Sequence, residues 1–160
     1  MKEVIFVRHA KSDWDHPGLK DIERPLAPRG MKDAPVMASK LKSLVNDVDH
    51  IISSPATRTI QTAVYFSEIY QIDPNNIEIV NELYEAFLDD ILHVLHRLSD
   101  EYNRVIFFGH NPGYTYLANL FSSEHIDNVP TCAFFKLKCN VSSWKDIQPE
   151  NTKLDLFLKP

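Results

Sequence analysis

An arginine and a histidine stand side by side near the amino terminus, directly after a short apolar run. The run from Val4 to Val7 is β-branched and aromatic, which is typical of a buried strand, and Arg8 and His9 follow it. A guanidinium can bind an anion, and a neutral imidazole can act as a nucleophile or a base. A solvated strand end would also explain the pair, so the dipeptide alone decides nothing.

A second cation lies at the predicted start of a helix. Ser54 fits the capping position and Pro55 the first helical position, which places Arg58 one turn inside the helix. Free backbone N–H groups and the positive end of the helix dipole favour an anion there. The guanidinium can also donate two parallel hydrogen bonds to phosphate oxygens. An ordinary capped helix with a surface arginine is the alternative interpretation.

A second histidine follows another hydrophobic run. His110 comes after the strand-like run Val105 to Gly109, and we predict that Asn111 caps the next helix and Pro112 opens it. The glycine before the histidine indicates that another group approaches the backbone closely. A structural histidine with satisfied hydrogen bonds is the alternative. Two carboxylates, Glu82 and Glu85, stand after a fourth apolar run, where they could serve a site or only solvate a loop.

Alternating strand and helix patterns supply a scaffold for these four segments. Short β-branched and aromatic runs indicate buried strands of a largely parallel sheet, and residues 31–45 and 91–98 repeat apolar side chains at helical spacing. The fold class is therefore α/β, a single three-layer domain with a mostly parallel central sheet flanked by helices. Ligands bind at the carboxyl ends of such strands, where all four segments lie. The strands are predicted at Glu3 to Arg8, Ile51 to Ser53, Ile77 to Val80 and Val105 to Gly109.

Two regions depart from this alternation. Pro35 falls inside the first helical pattern, where it removes a backbone hydrogen bond, so a kink or a late helix start is predicted. The runs Ala133 to Lys138 and Leu154 to Leu158 lack an intervening helix and are predicted as antiparallel strands at a sheet edge. The apolar face of the first helix is assigned to Met31, Ala34, Ala38, Leu41 and Val45.

The composition indicates one globular domain, residues 1–160. A chain of 160 residues with 44% hydrophobic content can bury one substantial core, and its charge of −5 is spread without a basic block, which excludes a nucleic-acid partner. The first apolar run is too short for a signal peptide, and no stretch reaches membrane-spanning length. Cys132 and Cys139 are seven positions apart, which places them on opposite faces of a strand. We expect reduced thiols and a cytoplasmic protein.

Taken in order, the segments resemble the histidine phosphatase superfamily, also called phosphoglycerate-mutase-like, along essentially the whole chain. The residues that carry the resemblance are Arg8-His9 at the end of the first strand, Ser53-Ser54-Pro55 with Arg58, and Gly109-His110. The chain is also similar to the short, SixA-like phosphohistidine phosphatase branch. The features shared with that branch are the compact length, Arg24-Pro25-Leu26 followed by Arg29-Gly30, and Gly109-His110-Asn111-Pro112.

The resemblance implies a phosphatase that forms a covalent intermediate on His9. Arg8, Arg58 and His110 would hold the phosphoryl group and offset its charge in an acidic protein, so we expect neither a metal nor another cofactor. For in-line attack, one ring nitrogen of His9 must be unprotonated. The other should donate to a backbone carbonyl or an equivalent acceptor, which fixes the tautomer.

The resemblance also assigns residues around the leaving group. Glu82 takes the position of the general acid that protonates the leaving group, and Glu85 is the second candidate. Arg24 would join substrate binding by guiding an incoming phosphoprotein, unless it only pairs with Asp21 and Glu23. A phosphohistidine substrate can leave as a neutral imidazole once its ring is protonated, so it depends less on strong acid assistance than an alkyl phosphate does.

The sequence departs from the mutases of the superfamily. They usually have a glycine where Ala10 stands and an asparagine where Asp15 stands, so mutase activity is not expected. The chain has no room for the long lid insertions of the sugar-phosphate enzymes, which predicts an open mouth suited to a phosphorylated protein.

Two other functions stay open. A phosphatase of small phosphate esters would turn over free metabolites efficiently, and a non-hydrolytic regulatory module would bind phosphate without forming a phosphoenzyme. A purely structural α/β domain would need four coincidences at one sheet edge. A monomer is the default expectation.

Overall fold

Six strands form one sheet in the computed structural model, which describes residues 1–160. Their bounds are β1 Lys2–Arg8, β2 His50–Ser53, β3 Glu78–Ile79, β4 Arg104–Gly109, β5 Phe134–Cys139 and β6 Thr152–Leu158. The strands follow the spatial order β3-β2-β4-β1-β5-β6. Strands β1 to β4 are parallel to one another, whereas β5 pairs antiparallel with β1 and with β6, as predicted for the last two strands.

The pairing register brings the predicted site segments together. Arg8 at the end of β1 lies opposite Gly109 at the end of β4. Ser53 at the end of β2 lies opposite Phe108 in β4. The carboxyl ends of the three central parallel strands therefore meet at one edge of the sheet, as a parallel layout predicts.

Four helices cover the two faces of the sheet and complete a three-layer α/β domain. Side chains of α1 and α2 pack with Ile5, Val7 and Ile106 on one face. Those of α3 and α4 pack with the alternate residues Val4 and Phe6 on the other. The predicted fold class is confirmed. The helices are α1 Pro28–Leu44, α2 Thr57–Ile69, α3 Leu88–His96 and α4 Gly113–Phe121, and single 3₁₀ turns occur at Asp21–Glu23, Pro74–Asn76, Asn81–Leu83 and Trp144–Asp146.

Local boundaries differ from the predictions in two places. Helix α1 begins at Pro28 and includes Pro35, so a late start is wrong. Pro35 removes only the bond to the carbonyl of Met31, and Met31 is 48% exposed, so water can reach that carbonyl. Met37, rather than Met31, is buried in the core. The predicted buried strand after residue 77 is only the two-residue edge strand β3, and both of its residues are exposed.

The two cysteines are buried and free, one against each face of the sheet, as their spacing predicts. Burial raises the pKa of Cys132 to about 12 and that of Cys139 to about 11. Both thiols therefore remain protonated and chemically inert at neutral pH. None of the helices has the length and apolar character needed to cross a membrane.

Candidate active site

His9 lies just beyond the end of β1, where the chain is held on both sides. Its backbone N–H donates to the carbonyl of Gly109 at 3.1 Å, and the N–H of Arg8 donates to Ala133 at 3.1 Å. The N–H of Cys132 is shared between the carbonyls of Arg8 and His9, both at 3.1 Å. The strand ends between the two residues, so their side chains are not forced to opposite faces of the sheet.

The ring of His9 has a defined tautomer. Nδ1 donates to the carbonyl of Ala10 at 2.7 Å, which leaves Nε2 unprotonated in the neutral ring. The N–H of Ala10 donates to Thr62 at 3.0 Å and ties this loop to α2. Burial, together with the nearby His110, Arg58 and Arg8, lowers the pKa of His9 to about 3, although the bond to Ala10 opposes this shift. The His9 ring is therefore neutral at physiological pH, and its role as a nucleophile stays a prediction.

The second histidine faces the first. The ring centroids of His9 and His110 are 5.3 Å apart, and Nε2 of His110 is 2.7 Å from Oγ of Ser54. Nδ1 of His110 has no protein partner and can donate to a ligand. Burial lowers the pKa of His110 to about 3, and the nearby Arg58 contributes, so the ring is a neutral hydrogen-bonding group in the unliganded protein.

The hydroxyl of Ser54 contacts His110, and Ser54 is not the capping residue of helix α2. Helix α2 begins at Thr57, and the residue before it is Ala56, so the predicted capping roles of Ser54 and Pro55 are wrong. Oγ of Ser54 instead bonds to His110 and accepts from the N–H of Ala56 at 3.3 Å. The turn before the helix thus positions the ring of His110.

Asn111 and Pro112 also differ slightly from their predicted places. Helix α4 begins at Gly113, so Pro112 precedes the helix. Oδ1 of Asn111 accepts from the N–H of Thr115 at 3.2 Å and from its hydroxyl at 3.0 Å, so Asn111 still caps the first turn. The group that approaches Gly109 is Tyr114, because a Cβ on Gly109 would lie 2.5 Å from the Tyr114 hydroxyl oxygen.

Two arginines present unpartnered donors. Nη1 of Arg8 donates to the carbonyl of Val129 at 3.0 Å. Arg58 donates from Nη1 to the backbone carbonyl of Asp21 at 2.7 Å and from Nη2 to its carboxylate at 3.0 Å. The Nε atoms of both arginines are buried without a partner, and only one other buried side-chain atom in the protein, the Tyr114 hydroxyl, shares that condition. Buried orphan donors are rare in native proteins, so these two indicate an anion site.

Residues 4–103 match the family model of the histidine phosphatase superfamily, branch 1. This chain belongs to the histidine phosphatase superfamily. An uncharacterised protein of Mycobacterium tuberculosis is 29% identical over 153 residues, which cover 89% of this chain and 92% of that protein.

Solved structures extend the likeness over the whole chain of this histidine phosphatase. A protein of Agrobacterium tumefaciens assigned as the phosphohistidine phosphatase SixA superposes with a TM-score of 0.78 and 26% identity, covering 99% of this chain and 98% of that one. SixA in complex with tungstate superposes with a TM-score of 0.80 at 21% identity, covering 98% and 96% of the two chains. The Agrobacterium neighbour supports the SixA-like branch of the superfamily, and the tungstate complex shows the same fold.

Arg24 lies close to the phosphatase site through Asp21. Its Nε donates to the Asp21 carboxylate at 3.1 Å and its Nη1 to the Ser12 hydroxyl at 2.7 Å. Its guanidinium stacks on the ring of Trp14, 3.6 Å from the centroid. Arg24 therefore adds positive charge near Arg58, and its role in substrate binding stays a prediction.

Glu82 is engaged elsewhere. Both of its oxygens accept from Arg97, at 2.6 and 2.7 Å, and the side chain is exposed. This hydrogen bonding lowers the pKa of Glu82, whereas a general acid needs a raised one. Glu85 is also exposed. The role of Glu82 stays a prediction that this arrangement does not favour.

A surface cavity of about 520 Å³ opens next to Arg8. Arg8 is the one residue that this cavity shares with the His9 cluster, because His9, Arg58 and His110 do not line it. The remaining lining residues are Asn111, Pro112, Thr115, Tyr116, Asp127 and Asn128. No group of three or more histidine, cysteine or carboxylate side chains is placed to hold a metal ion.

Sequence reasoning missed two residues of this site. Ser54 was assigned to a helix cap, although its hydroxyl contacts His110. Asp21 was considered only as a partner of Arg24, although it binds Arg58 with two oxygens. The only signal for Asp21 was its position three residues before Arg24, which does not reveal a contact 37 residues away.

Proposed function

We propose that this phosphatase hydrolyses phosphohistidine in proteins through a covalent phosphohistidine intermediate on His9. The observation that carries the proposal is the cluster of Arg8, Arg58 and His110 around the ring of His9, whose Nε2 is unprotonated. A phosphoryl group would accept hydrogen bonds from this cluster and offer its phosphorus atom to the nucleophile. The SixA-like fold supports the choice of a protein substrate.

The chemistry proceeds in two steps. Nε2 of His9 attacks phosphorus, the bond from phosphorus to the leaving group breaks, and the leaving group departs with that electron pair. The equatorial oxygens accept from Arg8, Arg58 and Nδ1 of His110, which stabilise the charge of the transition state. Water then attacks the phosphoryl group, phosphate leaves, and the lone pair returns to Nε2. Nδ1–H stays bonded to Ala10 throughout, so the proton on that nitrogen never has to move.

A phosphohistidine substrate suits a site without an evident general acid. Protonation of its ring before departure lets the leaving group depart as a neutral imidazole, so a strong acid from the enzyme is not required. Glu82 is tied to Arg97 in this structure, which agrees with that requirement.

The test is to incubate the protein with a phosphohistidine-bearing protein in EDTA and to follow its mass, the acid-lability of any adduct and phosphate release. We expect an acid-labile phosphoryl adduct and steady release, both lost in His9→Ala. His93→Ala, which removes an exposed histidine of α3, is the matched control and should behave as wild type.

Two results would contradict the proposal. Adduct formation that persists in His9→Ala would exclude this nucleophile, and turnover that requires a divalent cation would exclude the arginine-based site. Efficient hydrolysis of free phosphate esters with none of phosphohistidine would retain the mechanism and replace the substrate class. Phosphate binding without adduct or release would favour the regulatory module.

A further inference from the structure

Asp21 binds the two terminal nitrogens of Arg58, one of the arginines proposed to hold the phosphoryl group. The backbone carbonyl of Asp21 takes a hydrogen from Nη1 of Arg58, and its carboxylate takes one from Nη2. A guanidinium has five N–H donors in a fixed plane, so these two bonds set the orientation of the whole group. The other three N–H donors, one on each Nη and the one on Nε, have no partner within the protein. Asp21 therefore occupies only two of the five donors.

The Asp21 carboxylate is itself fixed by two further groups. The hydroxyl of Tyr84 donates to Oδ2 at 2.5 Å, and Nε of Arg24 donates to Oδ1 at 3.1 Å. Burial raises the pKa of Asp21, but hydrogen bonds from Tyr84, Arg58 and Arg24 outweigh it and lower the pKa to about 2. The carboxylate is therefore ionised at any pH at which the protein would work.

Arg8 is anchored in a similar way. Its Nη1 is bound to the carbonyl of Val129, and its Nε is buried without a partner. Both arginines are thus held through a terminal nitrogen by an oxygen of the protein and keep further N–H groups without a protein partner. This repetition argues that the contact with Asp21 anchors Arg58.

We propose that Asp21 is a positioning residue, which fixes the Arg58 guanidinium so that its remaining N–H donors face the phosphoryl group in the transition state. The inference rests on the proposed phosphatase function and adds a residue that does not itself touch the substrate. Preorganised donors stabilise a transition state without reorganisation, so loosening Arg58 should slow the chemical step more than it weakens ground-state binding.

We expect kcat to fall while the binding of inorganic phosphate is unchanged or tighter. In Asp21→Asn, kcat for dephosphorylation of a phosphohistidine-bearing protein should fall about tenfold, because Arg58 loses its charged anchor. The inhibition constant of inorganic phosphate should stay equal or fall, because a negative charge beside the site has been removed. Tyr84→Phe, which removes one bond to Asp21, should lower kcat by a smaller factor in the same direction.

The matched control is Glu23→Gln, which neutralises a carboxylate in the same 3₁₀ turn. Glu23 accepts from the backbone N–H of Lys20 at 3.0 Å and makes no bond to Arg58. It should keep the kcat and phosphate inhibition of wild type. Asp21→Asn should also be made in the Arg58→Ala variant, which separates a positioning role from a folding defect. If Asp21 acts through Arg58, Asp21→Asn should add little to the loss of kcat in that variant.

The outcomes are distinguishable. If wild type shows no His9-dependent turnover, the proposed function fails and the inference with it. If wild type turns over and Asp21→Asn keeps kcat or raises it, Asp21 only competes with the substrate and the inference alone is overturned. A full additional loss in the Arg58→Ala background, or a rise in the phosphate inhibition constant that matches the fall in kcat, would also overturn it.

Discussion

The Arg58 side chain can serve two tasks, since two of its five N–H groups bind Asp21 and the other three have no partner within the protein. A lysine has a single charged nitrogen on a flexible stem and cannot reproduce the planar fork. We therefore expect Arg58→Lys to lower kcat/KM for the phosphohistidine substrate by about 10²-fold, although the charge is retained.

Steady-state kinetics would check this expectation against Arg97→Lys, which makes the same change at a partly exposed arginine paired with Glu82. That control should retain nearly full activity. Activity of Arg58→Lys within a few-fold of wild type would show that charge alone, and not the guanidinium geometry, binds the phosphoryl group.

Helix α1 positions the loop that follows His9 through a close backbone contact. A Cβ on Gly30 would lie 2.2 Å from the carbonyl oxygen of Lys11, and that oxygen also accepts from the N–H of Ala27 at 2.8 Å. Backbone atoms cannot move aside as a flexible side chain can. Gly30→Ala should therefore destabilise the protein by about 1–3 kcal/mol, despite the better helix propensity of alanine.

Urea unfolding would measure this change, with Ser39→Ala as an exposed control in the same helix. Ser39→Ala should leave the free energy of unfolding within about 0.5 kcal/mol of wild type. Unaltered stability of Gly30→Ala would mean that the loop after His9 can shift freely, and the contact would then have no positioning role.

Among the secondary-structure elements, the central strands are predicted well by hydrophobic patterns. A short, continuous apolar run fits few elements other than a buried parallel strand. The runs ending in Arg8 and Gly109 came within a residue of their observed ends. The turn before α2 was assigned wrongly because Ser54 and Pro55 fit a helix cap by type, and only the fold reveals that His110 competes for the same hydroxyl. Contacts between distant segments, such as Asp21 with Arg58, leave no local signal.

For the whole molecule, two buried neutral histidines make stability depend on pH. The pKa values of His9 and His110 are lowered to about 3, below the usual unfolded value of about 6.5. Between these values the unfolded chain binds more protons, so stability is fully present above pH 6.5 and falls as the pH drops. Each ring contributes at most about 1.4 kcal/mol per pH unit in that window.

Urea unfolding at pH 7 and pH 5 would test the effect. The free energy of unfolding should be lower at pH 5, and the difference should shrink in His110→Gln, which has one fewer buried ring. The pKa of Asp21 is lowered to about 2, so the stability that its carboxylate contributes is lost only below about pH 4. It therefore does not affect the comparison between pH 7 and pH 5. An equal difference in wild type and variant would place the pH dependence elsewhere.

The order of the strands has a consequence for how the chain is made. Strand β1 is synthesised first but lies in the middle of the sheet, between β4 and β5. Its residues pair with partners about 100 positions later, such as Glu3 with Arg104 and Lys2 with Cys139. The nascent chain must therefore carry an unpaired apolar strand until most of the protein has left the ribosome, and contacts this distant in sequence form slowly. The surroundings of His9 can form only after Gly109 and Cys132, whose backbones hold it, have been made.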